Sequence, residues 1–398
     1  NTFKPPTGWV HLRPRSVFDH EYERAHPSRS RGAFDLPLLK DMMRTATALS
    51  AALAIPTLLA FSSLEADKIS FAPKAGTSVV KSFTASTSME LDDMGMTMNG
   101  EPSPMTPDIE MTMVIVNTIT VTDEYGPIQD GKPAKLTRTY DAIGAEMEME
   151  VAVNMMGNEE NQTPNGSGSS ELEGSTVVFT WDADTGEYTA KFAEGEDGDP
   201  DLLENLSEDM DLRGLLPSGD LAEGESYDIE LTALIDVLAP GGDLKLDMEV
   251  DGQEAGMGGP DPAMMSDFRR FFEDMLEGKA SGKYVGTREI DGVQVAVIEL
   301  EIEIDASADM SEMAADMMGG EELPAEMSID RLDVQMTYEG GGELHWNMAA
   351  GRVHALDLKA DIAVAMDMAM AMDMGGQSMD LGMEMAMSGS IASQLATK

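Results

Sequence analysis

The chain of 398 residues contains no cysteine, which excludes disulfide staples, thiolate metal sites and a cysteine nucleophile together. Basic residues are scarce as well: 26 Lys and Arg stand against 74 Asp and Glu, a formal net charge of -48. A surface of that sign repels nucleic-acid phosphates and anionic headgroups, so no nucleic-acid partner is expected. Aromatic residues make up only 5% of the chain, which leaves the core to aliphatic and sulfur-bearing side chains. There is no nucleophile elbow, no phosphate loop and no His-Glu-x-x-His sequence. Paired carboxylates are so common that none is diagnostic. The expectation is a non-enzymatic chain with no catalytic residue and no resident cofactor or metal.

Methionine is abundant instead. All 35 lie at or beyond Met42, and their unbranched thioethers make a soft, adaptable apolar material.

Residues 1–41 differ from everything that follows, carrying seven of the 26 basic residues (Lys4, Arg13, Arg15, Arg24, Arg29, Arg31 and Lys40). Met42-Met43-Arg44, the apolar stretch 45–61 and the small residues Ala60, Ser62 and Ala66 together have the layout of a secretory signal over 42–66. The stretch is short for a membrane span and is interrupted by Ser50, Pro56 and Thr57, so no stable span is expected after signal removal. On this reading 1–41 is a disordered or spurious upstream extension. Residues 67–398 are then a β-rich domain, secreted or periplasmic, whose two sub-halves meet near 195–260.

Strict alternation of apolar and polar residues marks half-buried strands. It runs through Met111, Met113, Ile115, Ile119 and Val121, through Met147, Met149, Val151 and Val153, and through Ile298, Leu300, Ile302 and Ile304. The longest run extends from Leu356 to Met374 with large apolar residues at even positions, then resumes from Met379 to Met387 at odd ones. A turn near Gly375-Gly376 sets Met372 opposite Leu381, Met370 opposite Met383 and Met368 opposite Met385. Met and Ala favour helix by propensity, yet a helix would scatter these methionines around its circumference. The fold class predicted is mainly β, a long curved antiparallel sheet, half-barrel or sandwich-like, with one or two covering helices. One helix is expected from Asp261-Pro262 to about 277 with Gly278 closing it, and a weaker one over 201–215. Segments 157–173, 194–200 and 251–263 are expected to be loops, and 306–322 a helix or flap.

His345 and His354 flank a turn at Ala349-Ala350-Gly351. A two-residue turn would set the rings opposite each other, whereas a three-residue turn using Gly351 puts them on opposite faces, and the glycine favours the latter. Asp182-x-Asp184-x-Gly186 is half of a calcium loop, but Ala193 stands where a closing glutamate is required, so a β-turn is expected. The methionine ladder admits three readings: a filled core face, the lining of a cleft for an acyl chain or other apolar ligand, or a thioether surface for Cu(I). The candidate ligand-binding residues are Met366, Met368, Met370, Met372, Met383 and Met385.

Three phrases, Leu216-Pro217 with Gly224-Glu225-Ser226-Tyr227, Tyr284-Val285-Gly286-Thr287-Arg288, and Gly342-Glu343-Leu344-His345-Trp346, are similar to those of exported bacterial β-rich proteins of uncharacterised role. The layout loosely resembles the half-barrels of periplasmic lipoprotein carriers. That resemblance implies a curved sheet around helices with an apolar ligand between them, and transfers no functional residue. The reading is an exported, non-enzymatic protein that binds a lipid or other apolar small molecule. Alternatives are a structural or assembly protein of the envelope or matrix and a Cu(I)-binding protein. Oligomeric state stays open.

Overall fold

The computed structural model describes residues 69–103, 106, 108–155, 158–250, 276–311, 327–373 and 378–398. The upstream and signal segments, the helix expected from Asp261, the loop 251–263 and most of 306–322 lie outside the described residues. The first half of the fold contains β1 (Ser78–Met98), β2 (Glu101–Pro102), β3 (Asp108–Tyr125), β4 (Ile128–Gln129), β5 (Lys132–Pro133), β6 (Lys135–Met155), β7 (Asn158–Gln162), β8 (Asn165–Ser170), β9 (Thr176–Asp182) and β10 (Glu187–Phe192). A connecting region then carries β11 (Ser226–Ile229), a one-turn α1 (Ile235–Leu238) and β12 (Leu246–Val250). The second half is a meander of β13 (Leu276–Ile290), β14 (Val293–Asp309), β15 (Met327–Asn347), β16 (Arg352–Asp373) and β17 (Ser378–Thr397).

The main path through the 15-stranded sheet is β10-β9-β6-β3-β1-β17-β16-β15-β14-β13-β11. The fold is mainly β and antiparallel, as the alternation predicted; because β1 lies against β17, the two halves fuse into one sheet, with no closed barrel among the described residues. The segments read as strands from their alternation fall inside β3, β6, β14, β16 and β17, apart from Met374, which lies outside the described residues.

The apolar residues do not keep one parity along each strand, and β-bulges absorb the changes. In β1 the inward residues are odd-numbered up to Leu91 and even-numbered from Met94, and the register against β17 shifts between Leu91 and Asp93. In β15 Ile329 gives way to Leu332, Val334 and Met336 across a shift between Ile329 and Arg331. In β6 Leu136 and Tyr140 give way to Ile143 and Met147, with Asp141 skipped by the pairing. One extra residue at each bulge returns the apolar side chains to the same face.

At one end that face is roofed. β11 pairs β13, while β12 pairs β8, which pairs β6, so the connecting region crosses the face to one side and returns to the other. Met210, Leu212, Leu215, Leu234, Val237 and Leu244 of this cap are buried against Phe83, Tyr125, Leu136, Ile298, Leu344 and Leu356 of the sheet. Burying each such side chain contributes about 1.5–3 kcal/mol. Ile69 and Phe71 complete the end, with Trp346 Nε1 donating to the Ser70 carbonyl at 3.3 Å.

Three expectations need correction. The helix foreseen over 201–215 is two short 3-10 turns, Pro200–Leu203 and Arg213–Leu215. Asn205 and Leu212 adopt positive φ, and the Asp209 carboxylate accepts from the Asp211 and Arg213 amides, a local bonding pattern that competes with continuous helix. The polar segment 157–173 is not a loop throughout, because β7 and β8 add to β6 there. Finally, Leu276 and Glu277 open β13 and do not end a helix. Gly278, at φ +144°, sits where a Cβ would strike the backbone of Glu303 and Ile304.

Candidate functional site: a methionine-lined sheet face

Beyond the cap the inward face continues for several rows of cross-strand neighbours. Leu91, Met387, Val364, Met336, Ala306 and Leu276 form one row across six strands. The next rows are Met94-Met385-Met366-Val334, Met96-Met383-Met368-Leu332 and Met98-Leu381-Met370-Ile329, followed by Met379-Met372. On the other side of β1, Met89, Met113 and Met149 share a row. Gly168 of β8 leaves room for the Met248 sulfur, since a Cβ there would collide with it. All six candidate residues therefore lie on one face, as the alternation required.

The register is slipped by two residues from the one expected: Met372 faces Met379, Met370 faces Leu381, Met368 faces Met383 and Met366 faces Met385. The last pair before the hairpin loop is Asp373 with Ser378, and loop placement sets register. An even slip preserves the face, so the apolar ladder survives it.

These methionines are neither filled core nor bare surface. Met366, Met368, Met370, Met372, Met383 and Met385 are half-buried, and none belongs to the buried core cluster. Met89, 7% exposed, is the last buried methionine before the open rows of β1. Two voids under the cap, one bordered by Phe83, Leu212 and Leu356 and the other by Leu234, Ile302 and Tyr338, hold about 10 Å³ each, room for roughly one water. The capped half is thus packed. The opposite face of the same strands is acidic, with Asp309, Asp333, Asp367 and Glu384 in one row and Arg331 bonded to Asp367 at 2.6 Å.

No protein-family model matches the chain, and no curated protein matches it either. The chemistry of the face must therefore be read from its own residues.

Among the described residues no cluster of three or more His, Asp or Glu side chains could hold a metal ion. The Asp182 segment is a turn, as expected: Asp182 Oδ1 accepts from the Asp184 amide at 2.9 Å, and Gly186 supplies positive φ. The turn between the histidines is longer than either foreseen, since Asn347 pairs Arg352 and the loop spans 348–351, with His354 bulged out of the ladder. His345 Nε2 lies 2.9 Å from Glu343 Oε2. Burial, His345 and Arg352 hold His354 below its ordinary value.

A buried charge cluster under the cap was not foreseen. Lys81 Nζ lies 2.8 Å from both Asp123 and Asp211, and Arg138 binds Asp123 through Nε at 2.8 Å and Nη2 at 2.9 Å. Arg138 also donates to the carbonyls of Ser207 and Glu208 at 2.9 Å, and the Tyr125 hydroxyl donates to Asp211 at 2.8 Å. Burial works against the Asp123 charge, but Arg138 and Lys81 outweigh it and hold the carboxyl at about 2. Two cations and two anions make this quartet neutral, so it latches the cap to the sheet without leaving a buried charge uncompensated. Beside it Arg213 pairs with both Glu208 and Asp209. That trio balances only if Glu208 is protonated, consistent with burial and Asp209 pushing Glu208 up to about 7 against the pull of Arg213.

Proposed function

We propose that this is an exported, non-enzymatic protein that holds an acyl chain or a similar apolar ligand against the uncapped, methionine-lined half of its sheet. The observation that carries the reading is the continuation of the inward apolar rows past the cap. From Ile362 to Met372 the uncapped part of β16 covers eleven residues, ten steps of about 3.3 Å or about 33 Å, a length suited to an extended hydrocarbon. Flexible thioethers adapt to a chain of imprecise shape, and burying apolar area gives the driving force without directional bonds. The acidic reverse face keeps such a protein soluble and turns anionic membranes away, which favours carrying a single lipid over lying on a bilayer. The signal-like segment 42–66 agrees with export, and the loose resemblance to lipoprotein carriers points the same way.

The test is organic extraction of the purified protein followed by mass spectrometry, with titration of a fluorescent fatty acid. A co-purifying acyl species, or saturable probe binding that a Met368→Asp/Met383→Asp variant loses while keeping its β-sheet circular dichroism, supports the reading. Absence of both a bound species and probe binding overturns it, and filaments in electron micrographs of such a preparation would favour the structural alternative.

A further inference from the structure

We infer that the methionine rungs shared by β1, β17 and β16 form a Cu(I) site. In the sequence, Met366 and Met368 with Met383 and Met385 make only a two-strand ladder. The pairing of β1 with β17 brings a third strand, from the far end of the chain, so that Met96-Met383-Met368 and Met94-Met385-Met366 become consecutive three-methionine rungs. The bulge between Leu91 and Asp93 is what turns Met94 and Met96 to this face; with uninterrupted alternation they would point to the acidic one.

Neighbouring strands lie about 4.8 Å apart and consecutive same-face residues about 6.6 Å apart along each strand. Met383 and Met385 therefore each have a thioether neighbour on either side, within reach of long, freely rotating side chains. Three sulfurs can close on one ion from the central strand without moving the backbone. Thioethers are soft ligands that select Cu(I) over ions preferring imidazole or carboxylate. The rungs are half-buried, which keeps the sulfurs reachable while limiting water around a bound ion. A net charge of -48 raises the local concentration of any cation. The inference does not depend on acyl binding, because it needs sulfur where the acyl reading needs only apolar area.

Replacing methionine by leucine tests the role of sulfur directly. The full chain is titrated anaerobically with ascorbate-reduced copper in competition with the chromophoric chelator bicinchoninate. The wild type is expected to withdraw Cu(I) from the chelator, with sulfur-only coordination by X-ray absorption. Met383→Leu/Met385→Leu, which removes two central sulfurs and keeps the apolar area, is expected to lower the affinity at least tenfold. Should that variant lose its β-sheet circular dichroism, the flanking single variants Met96→Leu and Met368→Leu replace it, each with a measurable drop expected. Failure of the wild type to withdraw Cu(I), coordination by nitrogen or oxygen, or undiminished affinity in a folded leucine variant overturns the proposal.

Discussion

Asp123→Asn is the most searching perturbation of the capped half. Asp123 is fully buried and receives three charge-assisted hydrogen bonds, from Lys81 at 2.8 Å and from Arg138 at 2.8 and 2.9 Å. The amide keeps the shape but removes the charge, leaving two buried cations facing Asp211 alone. Breaking a buried pair in this way costs about 3–5 kcal/mol, a large share of the roughly 5–15 kcal/mol that holds an ordinary domain folded. A second arm comes from pH. The Asp123 pKa is lowered on folding from 3.8 to about 2, so its contribution is complete above 3.8 and is lost as pH falls through about 2. The gap is worth about 2 kcal/mol at about 1.36 kcal/mol per pH unit. Urea unfolding followed by circular dichroism and fluorescence gives the first number at pH 7, provided the two signals coincide. Repeating it from pH 5 to pH 2 gives the second, as a loss of stability steeper in the wild type than in the variant. Asp305→Asn, on the exposed face, is the control. If Asp123→Asn stays within about 1 kcal/mol of the wild type at pH 7, the neutral quartet does not latch the cap and the electrostatic reasoning fails.

Glu208 titrates in the opposite sense: its pKa rises on folding from 4.5 to about 7, so its stabilising contribution is present below 4.5 and is lost as pH rises through about 7. That loss amounts to about 3 kcal/mol, and Glu208→Gln should flatten the stability profile between pH 5 and pH 8; an unchanged slope refutes the assignment. Mild peroxide should oxidise Met366, Met368 and Met383 well before the buried Met210, read by peptide mass spectrometry, and equal rates would mean that the methionine face is sealed. Gly342→Ala should destabilise the sheet by about 1–3 kcal/mol, because a Cβ there meets the Asp357 carbonyl and Leu358 backbone, and a neutral result in urea unfolding would contradict that close approach.

The two-residue beat made the strands and the sidedness of the methionine ladder legible, since both are local properties of the pattern. Two kinds of feature were hidden. Bulges carry little local signature, so Met94 and Met96 could not be assigned to the same face as Met89 until β1 was seen against β17, and that pairing joins Lys81 to Thr397 across most of the chain. The charge cluster did leave a trace. Lys81 lies between Val79 and Phe83, Asp123 between Val121 and Tyr125, and Arg138 between Leu136 and Tyr140, each a charge at an inward position flanked by buried residues. A buried strand admits a charge there only if it is paired, so three such positions of mixed sign on separate strands predict a mutual cluster. The cap could not be read because its backbone follows Asp209, positive φ at Leu212 and long-range bonds to Arg138, none of which shows as periodicity.

Residue type changes along the strands at the edge of the cap, and that change bears on what the open half is for. Under the cap the inward face of β1, β16 and β17 uses aromatic and branched side chains: Phe83, Leu356, Leu358 and Leu395. Past it, on the same strands, methionine takes over at positions 94, 96, 366, 368, 383 and 385. Rigid side chains of fixed shape suit a core that always meets the same partners, and the small voids under the cap show that fit. A second permanently packed core would have gained from the same residues, with less rotamer entropy lost than long methionine side chains forfeit on burial. Unbranched sulfur-bearing side chains are better matched to a surface whose contacts vary, whether a hydrocarbon lies along it or a soft ion settles between rungs.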